Sequence, residues 1–354
     1  MVVAEKQFKQ ASLLKDREGL ASLAPVIADT EDYSARYSKL IWSGSPDDPG
    51  DPGLLLRQDL YVDIFIETGV QLERVTRKQG IEEEKVRSLV ARVVDEFMKD
   101  AQNDLVLLTQ TLSLGPLIMT HLINDLILVL GFARSQGFGR EDLLRLGLCA
   151  YLHDIGMVDF MDKLNFPARL SSREFVEIKQ HPLRSLDIGS GILDDEMREA
   201  ILDVHERENG QGYPRGKKAG EISPLAKIIS VCDVYEALSH PRPFRREHSP
   251  FDAIKMVIQM KGHLIDEKVI KDLINFISIF PVGSLVRLNT GETALVTRSN
   301  WGMPTKSVVK VFLTPDMRPA RNQRSVDLSR NNLVHIHEPL GITEQHKALQ
   351  VLFP

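Results

Sequence analysis

Cysteine is scarce: the 354 residues hold two, Cys149 and Cys232, and both lie inside apolar segments. Such a pair builds neither a disulfide framework nor a cysteine-based zinc site, and buried free thiols in a reducing compartment fit better. An excess of positive charge is also missing. The 44 basic and 49 acidic residues are interspersed along the chain and leave a formal charge of −5. The basic footprint that broad nucleic-acid binding requires is therefore absent. The N-terminal MVVAEKQFKQ has no apolar core of signal-peptide length, and the most apolar stretch, Leu122 to Phe132, is too short to span a bilayer. The expectation is a cytoplasmic protein with no membrane partner. No repeat of solenoid period occurs, and no low-complexity tract beyond one loop. What remains is an ordinary globular composition, 43% hydrophobic, of a length that suits two or three domains.

Residues 1–42 read as one or two short helices, followed by SGSPDDPGDPG (43–53), where three prolines and three glycines make a loop. LYVDIFI (60–66) alternates apolar and polar residues over part of its length, which predicts a short strand. From Ile81 the period becomes 3.6, with Val86, Leu89, Val90, Val93, Val94, Phe97, Met98 and Ala101 on one face of a long helix, read as core or as a homodimer seam. Residues 106–275 repeat helical patterns with short polar breaks. After Phe280, β-branched residues alternate around Asn289-Thr290-Gly291, which predicts a β-rich appendage of three or four strands. The fold class is thus mainly α: an N-terminal regulatory region with its connecting helix (1–105), a helical chemical domain (106–275) and a β-rich extension (276–354).

The chemical residues come in order: His121, His153-Asp154, His181, His205 and Asp233. Imidazole nitrogens mixed with carboxylate oxygens suit iron, manganese, zinc or nickel, whereas magnesium or calcium sites use oxygen almost alone. A carboxylate beside a histidine can bridge two ions, and such a pair can polarise a phosphodiester and make water nucleophilic near neutral pH. Any one histidine on an apolar helix is more simply a core residue satisfied by its neighbours. The set is more persuasive. His121 stands among Leu117, Ile118, Leu122, Ile123 and Leu126, where a buried imidazole needs a partner. LCAYLHDIG and AKIISVCDVYEAL likewise put Asp154 and Asp233 on apolar helices, where carboxylates are paired or ligating.

YLHDIGM (151–157), PARLSSREFVEIKQHP (167–182), VHERENGQGYPRG (204–216) and ISPLAKIISVCDVYEALSHPRPFR (222–245) resemble the HD-GYP family in order, spacing and wording. The resemblance covers roughly 115–275, and the strands after Phe280 look like a tail some members carry. It implies an HD-type helical bundle, a centre of two divalent transition-metal ions with iron foremost, and hydrolysis of cyclic-di-GMP to pGpG or GMP. It further implies that His121, His153, Asp154, His181, His205 and Asp233 are metal ligands with Asp154 as the bridge. Asp154 and Glu236 would be catalytic, and Tyr213, Arg242 and Arg245 would contact substrate. Guanidinium forks fit phosphate oxygens well.

Four positions depart from the family pattern. Val204 replaces the first of two adjacent histidines, Leu117 stands where some members carry a glutamate that serves a third metal, Met157 replaces the lysine after HDIG, and Glu236 replaces the usual Asp. The missing lysine bears most on chemistry, because an ammonium beside the metal bridge would stabilise charge building on phosphoryl oxygens. Lys163 lies beyond an expected turn and is not counted as its substitute. Two readings follow. One is an active phosphodiesterase with weakened turnover. The other is a non-catalytic signalling module that binds metal, cyclic-di-GMP or pGpG, or a protein partner through the Gly212-Tyr213-Pro214 loop.

Overall fold

The structure, a computed structural model, describes residues 52–99, 102–111, 116–164, 171–240 and 248–353. The helices expected in 1–42 and most of the 43–53 loop lie outside these residues. Pro52 and Gly53, the end of that loop, already begin the helix α1 (Pro52–Thr76). The predicted strand 60–66 is part of the same helix. Its β-branched and aromatic residues bias a short window towards strand. Over a longer window, Tyr61, Ile64, Phe65, Thr68, Leu72 and Val75 are all buried at spacings of three and four, which is one helical face.

The helix α2 (Glu83–Met98) buries Val86, Leu89, Val90, Val93, Val94 and Phe97, and Glu83 and Glu84 in its first turn complement the helix dipole. Met98 falls off the expected face, 41% exposed, and Ala101 lies outside the described residues. After α3 (Gln102–Thr111) comes α4 (Leu117–Ser135), whose residues Ile118 to Ala133 are all buried. Its 19 residues exceed the expected apolar stretch and are long and apolar enough to cross a membrane, but 89% of the most apolar window is buried inside the fold. A helix apolar all round needs neighbours all round. It packs against α1, α2, α3 and α5 (Arg140–Leu152), and against α10 (Pro224–Ser239) and α12 (Glu267–Ile277). The exceptions in its buried run are Thr120, His121, Asn124 and Asp125, at spacings of one and four, so a single polar stripe faces one side.

Between α5 and α10 the chain runs through a 3-10 turn (Ile155–Phe160), α6 (Met161–Leu164), α7 (Ser172–Ile178), α8 (His181–Ile188) and α9 (Asp195–Asp203). A capping box at Ser171 and Glu174 starts α7, and Asp194 caps α9. The helix α11 (Pro250–Gln259) joins α10 to α12. One apolar core runs continuously from Tyr61 to Ile277 and includes residues on both sides of position 105.

The C-terminal appendage has five strands and a helix where three or four strands were expected. β1 (Leu285–Leu288), β2 (Thr293–Arg298), β3 (Val308–Leu313), β4 (Pro319–Asp327) and β5 (Ile336–Pro339) form an antiparallel sheet of order β4-β3-β2-β1-β5. The β1–β2 hairpin turns at Gly291 (φ +83°) as the turn signal implied. Alternation puts Leu285, Leu295 and Leu313 on one face, covered by Ala348 and Leu349 of α13 (Ile342–Leu352). Val286, Val296 and Val309 form a second apolar cluster.

Candidate metal centre

Three histidines have their outer nitrogens fixed before any ion is considered. His153 closes α5, and its Nδ1 donates to the Ala150 carbonyl at 2.7 Å; His181 opens α8, and its Nδ1 donates to Ile178 at 2.8 Å. His121, on the polar stripe of α4, has Nδ1 2.5 Å from Glu236 Oε2. Each acceptor selects the tautomer with its proton on Nδ1 and leaves the Nε2 lone pair pointing the other way. Those Nε2 atoms converge on Asp154. His121 Nε2 is 3.1 Å from Asp154 Oδ2 and 3.5 Å from Asp233 Oδ1. His153, His181 and His205 Nε2 lie 3.4, 2.9 and 3.1 Å from Asp154 Oδ1.

Two groups of ligand-type atoms result, His121, His153, Asp154, Asp233 and Asp154, His181, His205, each with its atoms within 4.8 Å of one another. Asp154 belongs to both. The arrangement fits divalent transition metal. His181 and His205 Nε2 approach each other to 2.9 Å while both face one carboxylate oxygen, and the fully buried His153 Nε2 has no hydrogen-bond partner among the described residues. Converging lone pairs in a dry site need a cation. Burial lowers His205 and so favours the neutral, ligating imidazole. Burial would raise Asp154, but the neighbouring His153, His181 and His121 outweigh it and hold the carboxyl well below the usual range.

Behind the centre lies a buried polar chain of which sequence reading named only Glu236. Glu236, 0% exposed, also reaches His240 Nδ1 at 3.2 Å; His240 Nε2 meets Thr109 O at 2.7 Å and Asn124 Nδ2 at 3.1 Å; and Tyr61 donates to Asn124 Oδ1 at 2.7 Å. Asp125 is fully buried 3.8 Å from His153 Nδ1, and burial together with Asp233 raises its carboxyl well above the usual range. Its position four residues after His121 was the available signal.

Close backbone approach fixes the rest. Gly156 sits where a Cβ would lie 2.8 Å from Ser185 N and closer still to the His181 carbonyl, so the turn after Asp154 presses directly on α8. Ser185 ties the same junction, accepting from Gly156 N at 2.9 Å and donating to His153 O at 2.7 Å. On the other side Glu206 accepts from Arg215 N, Gly216 N and Lys217 N at 2.7, 3.0 and 3.0 Å, which folds the Gly212-Tyr213-Pro214 loop back over His205. Tyr213 stacks on the His205 ring at 4.9 Å and 16°. Burial, then Asp154 and Asp233, push its phenol upward, so it stays protonated at neutral pH.

A family model described as an HD domain matches residues 89–269. The chain belongs to the HD domain family. Its ordered motifs follow the HD-GYP pattern, and a model for a KOW domain associated with HD domain matches residues 285–348. A cyclic di-GMP phosphodiesterase of Pseudomonas aeruginosa is 32% identical over 217 residues, 59% of this chain and 51% of its own length. The cyclic di-GMP phosphodiesterase response regulator RpfG of Xanthomonas campestris is 30% identical over 147 residues, covering 40% and 39%. The chain thus spans about half the length, or less, of these curated relatives. The fold is shared with a solved HDG"Y"P protein from Bdellovibrio bacteriovorus: TM-score 0.52, 18% identity, 73% of this chain and 86% of that one.

Against the HD-GYP pattern, the structure brings together His121, His153, Asp154, His181, His205 and Asp233, with Glu236 behind and Tyr213 in front. Arg242 and Arg245 lie outside the described residues. Met157 is partly buried against the helical core, Val204 is fully buried within it, and Lys163 is ion-paired with Glu177.

Proposed function

We propose that the chain is a metal-dependent phosphodiesterase that hydrolyses cyclic-di-GMP to pGpG or GMP. The observation that carries this reading is the shared Asp154 carboxylate, with one oxygen facing His121 and the other facing His153, His181 and His205. His121, His153, Asp154 and Asp233 would hold one ion and Asp154, His181 and His205 a second, iron foremost. Two divalent ions would supply Lewis acidity towards the phosphodiester and water made nucleophilic near neutral pH. Glu236 acts as a positioning residue, because its carboxylate lies behind His121 and fixes that ring. The protonated Tyr213 offers a hydroxyl donor beside His205, and Arg242 and Arg245 are assigned to the substrate phosphates on the family pattern.

A non-catalytic binding module is the second reading, favoured by Met157 and Val204 at positions where the pattern has lysine and histidine. Turnover of cyclic-di-GMP by the metal-loaded chain, followed as pGpG and GMP release, decides between them. Wild type should turn over slowly, and Met157→Lys should raise the rate by about 10²-fold, the size of one preorganised donor's contribution to transition-state charge. If both proteins bind metal and nucleotide and neither releases product, the second reading holds.

A further inference from the structure

The cations on the elements around the centre are mostly committed. Lys163 and Arg184 pair with Glu177 and Asp159. Arg215 and Lys217 pair with Glu199 and Asp203, and Arg207 donates to the Val204 and Glu206 carbonyls and to the Ser230 hydroxyl. Lys179 differs. It caps α7 two residues before His181, is partly buried, and enters no ion pair among the described residues. Its Nζ lies 4.8 Å from the centre of the Phe175 ring and 5.4 Å from that of Tyr213. Tyr213 stacks in turn on His205, whose Nε2 is 3.1 Å from Asp154.

We propose that Lys179 is the lysine contact for substrate phosphate: its ammonium leaves the faces of Phe175 and Tyr213 to bind a phosphodiester oxygen of a dinucleotide seated against Tyr213. This rests on the phosphodiesterase reading. An ammonium held over aromatic rings at a partly exposed site is held weakly, whereas its bond to a phosphate oxygen is charge-assisted and stronger. The four-carbon stem lets it move without moving α7. Without an acidic partner, its full charge is available to an incoming anion. The contact is one of binding, made equally in ground and transition states, and is distinct from the transition-state charge that a lysine at position 157 would supply.

The test uses the metal-loaded full chain with cyclic-di-GMP, comparing wild type, Lys179→Met and Lys179→Arg. Methionine keeps the contact with both rings and removes only the charge. Lys179→Met should raise KM about tenfold, the worth of one hydrogen bond to a charged group, with kcat changed by less than about threefold. Its metal content and melting point should match wild type, the salt dependence of KM should flatten, and Lys179→Arg should restore KM to within about twofold. An unchanged KM in Lys179→Met, or a joint loss of kcat and metal, overturns the assignment. If wild type releases no product, the phosphodiesterase reading fails by itself, and calorimetric affinity for cyclic-di-GMP then judges Lys179. Affinity about tenfold weaker in Lys179→Met supports it. Equal affinities, or no binding by wild type, overturn it.

Discussion

At the scale of single residues, the weight falls on Asp154, where four imidazoles meet one carboxylate. Asp154→Ala should strip metal from the purified chain and lower its melting point by about 5–10 °C, since a ligand at a hundred times its dissociation constant adds about 2.7 kcal/mol. The variant should also be indifferent to a chelator that destabilises wild type, because metal binding and folding are linked. Unchanged elemental analysis and melting in the variant would place the bridge elsewhere. The residues that converge here stood out in the sequence because polar groups on apolar helices are conspicuous, and the HD-GYP wording gave them an order. Their supports did not stand out. Asn124, His240 and Tyr61 are ordinary in composition, and what joins them to His121 is a set of hydrogen bonds between α1, α4 and α10 that no local window contains. Lys179 was hidden for a related reason: its neighbours Phe175 and Tyr213 are 38 positions apart.

At the scale of elements, two junctions set the spacing of the centre. Gly156→Ala would drive a methyl into the backbone of α8 beside His181. Overpacking of this kind costs about 1–3 kcal/mol, so the urea midpoint should fall and metal should be lost with it. A Gly156→Ala protein with full metal content would show that the turn and α8 can separate without harm. The second junction is the ion cluster in which Arg215 and Lys217 of the Tyr213 loop meet Glu199 and Asp203 of α9. Hydrogen bonds from Arg215 and Lys217 lower Glu199 to about 2. A depressed carboxyl stabilises the fold above its unfolded pKa, and that contribution is lost as pH falls from about 4.5 towards 2. Because the Glu199 side chain is about half exposed, 46%, solvent screening holds its share to at most about 1 kcal/mol. Glu199→Gln should therefore be slightly less stable at pH 7 and lose less stability over that acid range; parallel curves for the two proteins would remove Glu199 from the account. Elements were legible where a period ran long enough. The face of α2 is nearly as read, while α1 was misjudged because seven residues rich in β-branched and aromatic side chains are too few to separate a strand from a helix; the buried positions, Tyr61, Val62, Ile64 and Phe65, are helical in spacing. The fifth strand and α13 escaped because IHEP is too short to show alternation and α13 is only weakly amphipathic.

At the scale of the whole molecule, one apolar core joins helices from Tyr61 to Ile277, so a boundary drawn from the change of sequence pattern near 105 has no counterpart in packing. Pattern reports the surface of each element, whereas the core is decided by which surfaces meet. The helix α4 shows what this implies for the chain while it is being made. It is synthesised before α5, α10 and α12, which later cover much of its surface, and until they arrive it has the length and hydropathy of a bilayer-crossing segment. Until α5, α10 and α12 are made, the growing chain leaves part of this apolar surface uncovered. A fragment ending at residue 138 should pellet with membranes or aggregates after cell lysis, while the full-length chain, expressed alongside, should pellet far less. Equal partition of the two would mean that α1, α2 and α3 already shield α4, and that its protection is in place before the metal-binding half of the protein exists.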